Sequence, residues 1–155
     1  MILYLDTSSL VKLYVEEPGS EDVRGLLETA EIVATSVLAY PETRAALARR
    51  RREKSLTSAS YRAARAALDT DWPRLLSLEV AEPLARQAGD LAERHRLRGF
   101  DALHLASYLT VATEFRDEEV RFSSADKALS RAARSATPSG RRRASRPASS
   151  PGAGR

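Results

Sequence analysis

Four carboxylates in this sequence stand at places where they could act together: Asp6, Glu42, Asp101 and Asp126. Asp6 ends the apolar run Ile2–Leu5 and is followed by three hydroxyl residues, Thr7, Ser8 and Ser9. Glu42 lies within SVLAYPETRAALARR, Asp101 within RGFDALHLA and Asp126 within RFSSADKAL, each at or near a predicted helix start. Taken singly, each acid reads first as a cap, because carboxylates at a helix N-terminus pair with its free N–H groups and its dipole. Their conjunction says more. Three of them follow predicted strands, so a parallel arrangement would collect them at the carboxyl edge of a sheet, where open α/β folds bind ligands.

Helix N-termini favour the ionised carboxylate, the form that binds hard cations. A set of carboxylates without a Cys or His cluster suits Mg²⁺ or Mn²⁺. Such ions activate a water and stabilise the leaving oxygen in phosphodiester cleavage, so no histidine base is needed. Thr7, Ser8, Ser123 and Ser124 add hydroxyls that can orient ligands or phosphate. Other chemistries lack their residues. There is no cysteine and there are only two histidines, His95 and His104, which rules out disulfides, thiolate nucleophiles and Cys- or His-rich metal sites. No GxGxxG, GxxxxGK[ST] or GxSxG pattern occurs. The aspartyl phosphatase pattern needs a second Asp where Ser8 stands.

The elements that must position these acids can be read from periodicity. Strands are predicted at Ile2–Leu5, 31–35, 74–79 and 119–123. Helices are predicted over 8–15, from Ser20, from about Leu38 to Lys54, from Thr57 or Ser58 to about Asp71, over 80–94, from Asp101, and from Asp126. Pro41 leaves the start of the third helix open. Short apolar strands alternating with helices predict an α/β domain with a mostly parallel sheet.

The chain of 155 residues is one domain by size, with 43% hydrophobic and 30% charged residues. Its net charge of +4 is misleading. Residues 137–155 hold five Arg and no acid, which leaves 20 basic and 21 acidic residues in 1–136. The folded domain is therefore assigned to 1–136, and 137–155 to a low-complexity basic tail, expected to be disordered. No apolar run approaches a membrane span, and the start lacks the pattern of a signal peptide, so a cytoplasmic protein is expected.

Four stretches, YLDTSSLVKLY, SVLAYPETRAALARR, LRGFDALHLASYL and FSSADKAL, carry a family resemblance over about residues 1–135. DTS before an apolar helix, and DALHLA, are its most specific parts. The chain resembles the PIN-domain ribonucleases, and among them the VapC-type toxins of bacterial toxin–antitoxin pairs. The resemblance implies a three-layer α/β/α sandwich and Mg²⁺- or Mn²⁺-dependent endoribonuclease activity. It puts Asp6, Glu42, Asp101 and Asp126 on the family's acidic quartet. It also implies a cognate antitoxin that blocks the site, and a homodimer. Such domains usually follow the fourth acid's helix with a further strand, and here the Arg/Ser/Pro/Gly tail stands in its place. Either the sheet is one strand short or the tail is aberrant. The composition switch fits a shift of reading frame in a GC-rich gene, which an apolar strand encoded in another frame would support.

His104, amid Leu and Ala, is expected to pack rather than to ligate. His95, beside Glu93, Arg94 and Arg96, is expected at the surface. The run Arg49-Arg50-Arg51-Arg52 ends a helix and is read first as a solvated face complementing the dipole, with RNA-backbone contact as the second reading. Two alternatives to the nuclease stay open. One is a catalytically silent binding module whose acids are caps. The other is a different Mg²⁺-dependent phosphohydrolase.

Overall fold

The computed structural model describes residues 1–137. Four strands form one parallel sheet in the order β3-β2-β1-β4, with β1 Ile2–Leu5, β2 Ile32–Ser36, β3 Leu76–Leu78 and β4 Val120–Ser123. Among the described residues seven α-helices flank it: α1 Thr7–Leu10, α2 Ser20–Glu28, α3 Ala39–Arg52, α4 Ser58–Asp71, α5 Glu82–His95, α6 Gly99–Glu114 and α7 Lys127–Ala136. Side chains alternate across β1, and every residue of it is buried. Ile2 and Tyr4 face a core built from α5, α6 and α7, around Leu91, Leu105, Val111 and Leu129. Leu3 and Leu5 face the other core, with Leu10, Val23 and Ala39 from α1, α2 and α3. A central strand buried on both faces needs an unbroken apolar run, which ILYL supplies. The architecture is thus the expected three-layer α/β/α sandwich, and among the described residues the sheet is wholly parallel.

The elements match the expected order, with shifted boundaries. The first helix begins at Thr7 instead of Ser8 and tightens after Leu10 into a 3-10 turn, Val11–Leu13. The third strand is shorter than 74–79, because Trp72–Arg74 forms its own 3-10 turn around Pro73. Helix α5 starts at Glu82, where Pro83 suits the first turn. Helix α6 starts at Gly99, which puts Asp101 inside its first turn. Helix α7 is closed by Thr137, whose hydroxyl donates to the Ala133 carbonyl and meets the Tyr108 hydroxyl at 3.0 Å. Among the described residues β4 pairs only with β1 and no fifth strand is present. Apart from Thr137, the tail assigned to 137–155 lies outside the described residues. No helix among the described residues is long and apolar enough to cross a membrane.

Candidate active site

Asp6 leaves β1 with its N–H bonded to the Ser123 carbonyl at 3.1 Å, so the β1–β4 ladder fixes its backbone. Its side chain caps α1: Oδ1 accepts from the Ser9 N–H at 2.9 Å. Ser8 donates to the same carboxylate at 2.7 Å, and Ser124 donates to Oδ2. Ser8 also accepts the Ala125 N–H at 2.8 Å, which pins the loop after β4 against α1. Asp6 is 5% exposed, and no cationic side chain among the described residues pairs with it. Burial pushes its carboxyl above the usual range, although the hydrogen bonds from Ser124, Ser8 and Ser9 oppose this. A buried carboxylate held only by neutral donors is an incomplete charge arrangement. A cation beside it would complete it.

Glu42, in the first turn of α3, is held differently. The Thr7 hydroxyl makes a short hydrogen bond to Oε2, and His104 Nε2 lies 3.0 Å from the same oxygen. A carboxylate can only accept, so Nε2 carries the proton. Nδ1 faces the Tyr4 hydroxyl across 3.1 Å, and the hydroxyl donates to it whenever the ring is neutral. Tyr4 is fully buried and burial raises its phenol far above the usual range, so the proton stays on the hydroxyl. The result is a relay from the core of β1 to the site: Tyr4 orients His104, and His104 with Thr7 orients Glu42. Burial works against ionised Glu42, but the hydrogen bonds from His104 and Thr7 outweigh it and hold the carboxyl below the usual range.

Asp101 accepts from Arg98 Nε at 3.0 Å, across one turn at the start of α6. Asp126 caps α7 through Oδ1 and the Leu129 N–H at 2.9 Å. All four acids line one cavity of about 330 Å³, together with Thr7, Ser8, Arg98 and His104. They reach it by one route. Strands β1, β2 and β4 end at the same edge, and α6 runs back across the sheet so that its N-terminus lies there too. Among the described residues, however, no three His, Asp or Glu side chains lie close enough to hold one ion between them. Asp101 is drawn to Arg98, and Glu42 to Thr7 and His104. The all-oxygen donor chemistry and the uncompensated charge on Asp6 fit a hard divalent cation.

His104 is buried, as expected for a packing residue, but it also holds Glu42. His95 is partly exposed at the end of α5, away from this cavity. In the arginine run, Arg49, Arg51 and Arg52 are exposed, in keeping with a solvated face, and Arg50 is half-buried. Arg49 and Arg50 line the cavity, and Arg50 pairs with Glu17, because the last turn of α3 passes the loop after α1. Arg51 lies over the Tyr61 ring, 5.1 Å from its centre. Sequence reasoning missed the Thr7–Glu42 and Tyr4–His104 bonds, whose partners are 35 and 100 residues apart. The only sequence signal was a polar His inside an apolar helix, three residues after Asp101.

The PIN domain family model matches residues 3–135. The chain is 39% identical to Ribonuclease VapC45 of Mycobacterium tuberculosis over 110 residues, 71% of this chain and 76% of the relative. Its fold resembles the crystal structure of Mycobacterium tuberculosis VapC20, a Sarcin-Ricin loop cleaving toxin, at a TM-score of 0.60 and 21% identity, covering 84% of this chain and 94% of that one. It also resembles VapBC2 from Rickettsia felis, bound to a DNA fragment from their promoter, at a TM-score of 0.53 and 14% identity, covering 80% and 100%. The family match spans both flanks of the site, from β1 to the end of α7, and on that extent the chain belongs to the PIN domain family.

Proposed function

We propose that this chain is an endoribonuclease toxin that hydrolyses RNA phosphodiester bonds with the help of Mg²⁺ or Mn²⁺. The observation that carries this reading is the convergence of four carboxylates on one cavity, with Asp6 buried and uncompensated among them. The relative named a ribonuclease, at 39% identity, supports the substrate class. Asp6, Glu42, Asp101 and Asp126 are the residues that would hold the ion. When bound, a divalent cation supplies positive charge against the phosphate oxygens and acidifies water at neutral pH.

The chain's own groups do the rest. Ser8, Ser124 and the Ser9 N–H fix the Asp6 carboxylate in one orientation. Thr7 and His104 keep Glu42 ionised and aimed, at no cost in reorganisation during the reaction. Arg98, Arg49 and Arg50, at the rim of the cavity, offset the charge of an RNA backbone. Water attacks phosphorus, the bridging oxygen leaves, and one phosphodiester bond becomes a phosphate ester and a hydroxyl.

A cognate antitoxin that covers the site and a homodimeric assembly belong to the same proposal. Support comes from family membership and from the likeness to VapBC2. The discriminating experiment compares the wild type with Asp6→Asn on total RNA and on small phosphate esters. RNA cleavage by the wild type alone, with the esters untouched, is the expected result. Full activity of Asp6→Asn would sink the mechanism, and turnover of the esters without RNA would reassign the substrate.

A further inference from the structure

Next to the acidic cavity lies a second, larger one of about 590 Å³ between α5 and α6. Glu42, Arg98 and Asp101 line both, so the two are adjacent and share a wall. Its walls are small: Ala85, Ala88, Gly89 and Ala92 on α5. At its rim stands Phe100, 61% exposed, between Arg98 and Asp101 in sequence.

Two features of this cleft lack an explanation among the described residues. An aromatic side chain this exposed loses the burial that normally stabilises it. Gly89 sits inside α5, where glycine weakens a helix relative to alanine. Among the described residues no neighbour approaches within 4 Å of the place where its Cβ would be, so close packing with them does not require glycine there. The space is kept open beside an aromatic face and an exposed guanidinium, at the edge of the carboxylate site. A flat group with an attached anion fits it, and in a single-stranded nucleic acid that group is a base with its phosphate.

We propose that this cleft is a nucleotide subsite, in which Phe100 stacks on an RNA base and Arg98 takes the neighbouring phosphate. The proposal rests on the RNA substrate reading above. Arg98 is suited to the role because its side chain is 86% exposed and its present partner, Asp101, is one of the four acids. Engaging a phosphate would also loosen its hold on Asp101.

The test uses the full chain carrying Asp6→Asn, so that RNA is bound without being cut, and a short RNA containing 2-aminopurine, whose fluorescence falls on stacking. Phe100→Ala and Gly89→Leu, each checked for folding by circular dichroism, should weaken RNA binding about tenfold and abolish the quenching, since one stacked base contributes on that order. Phe100→Trp should retain both. Arg98→Ala should weaken binding and flatten its salt dependence. In the active protein, Phe100→Ala should change which sites in RNA are cut.

Unchanged affinity and quenching in Phe100→Ala and Gly89→Leu would overturn the subsite. So would full rescue by Phe100→Leu, which would assign the cleft to general apolar contact, and so would loss of self-association without loss of RNA binding, which would assign it to a second copy of the chain. Failure of the nuclease reading looks different: the wild type would bind and quench the RNA without cutting it, and the subsite would stand.

Discussion

Asp6 is both the cap of α1 and the most buried of the four acids. These roles separate under mutation. In Asp6→Asn the amide oxygen can still accept the Ser9 N–H, while the buried charge disappears. Cleavage should fall at least about a hundredfold, since even outer-shell partners of metal sites are worth 10–100-fold. Thermal stability near neutral pH should be unchanged or raised, by up to about 1 kcal/mol, because an uncompensated buried charge is removed. A large loss of stability would show that Asp6 is chiefly structural. His104→Ala tests the relay. It frees Glu42 and leaves the buried Tyr4 hydroxyl unpaired, at a cost of about 1–3 kcal/mol. Its mechanistic signature is a roughly tenfold or greater rise in the Mn²⁺ concentration needed for half-maximal cleavage. A stability loss with unaltered metal dependence would leave His104 a packing residue. At this scale the acids were legible in the sequence and their supports were not. Each acid follows a recognisable local signal, whereas Tyr4, Thr7 and His104 become neighbours only once β1, α3 and α6 are assembled.

The loop after α1 shows how elements are joined beside the site. Lys12 is nearly buried and donates to Glu17 at 3.1 Å and to the Pro18 carbonyl, while Arg50 of α3 pairs with the same Glu17. Gly19 follows with φ of +87°, a conformation suited to glycine, and starts α2. Burial alone would raise the Glu17 carboxyl, but hydrogen bonds and charge from Arg50 and Lys12 outweigh it and hold it below the usual range. A carboxyl depressed in the folded state stabilises fully above its unfolded value of about 4.3, and that contribution is lost as pH falls through the lower folded value. Glu17→Gln should therefore destabilise by about 1–3 kcal/mol at pH 7, leaving Lys12 without its counter-charge. The difference from wild type should shrink in urea titrations run below the ordinary carboxylate range. A gap that persists there would mean packing, not charge, is responsible. In α3 itself, Thr43 is fully buried with no partner for its hydroxyl among the described residues. Thr43→Val should be neutral or stabilising by up to about 1 kcal/mol in the same titrations, and a clear loss would reveal an unseen hydrogen bond. The helices were legible from apolar spacing and cap residues. Their exact starts were less so: Gly99 begins α6 ahead of Asp101, because Arg98 takes the extended cap conformation that a sequence pattern does not display.

As a whole, the molecule is a parallel sheet whose carboxyl edge gathers groups from both ends of the chain. Asp6 and Ser124 lie 118 residues apart and share one hydrogen bond. This convergence was predictable from alternating strands and helices, since parallel order leaves one edge for all strand ends. The sheet order, with β1 between β2 and β4, could not be read from periodicity and depends on which faces each helix buries. Nor did the sequence reveal the cleft between α5 and α6, because an empty space has no residue to mark it. The order also leaves one side of β4 unpaired among the described residues, an open edge of the kind that other chains can join. What the assembled edge does is decided most directly by one measurement: incubation of the purified full chain with total RNA in Mg²⁺ or Mn²⁺, then in EDTA, then with the cation restored. Cleavage that stops in EDTA and returns with the cation is the predicted result; cleavage undiminished by EDTA would contradict a carboxylate-held ion.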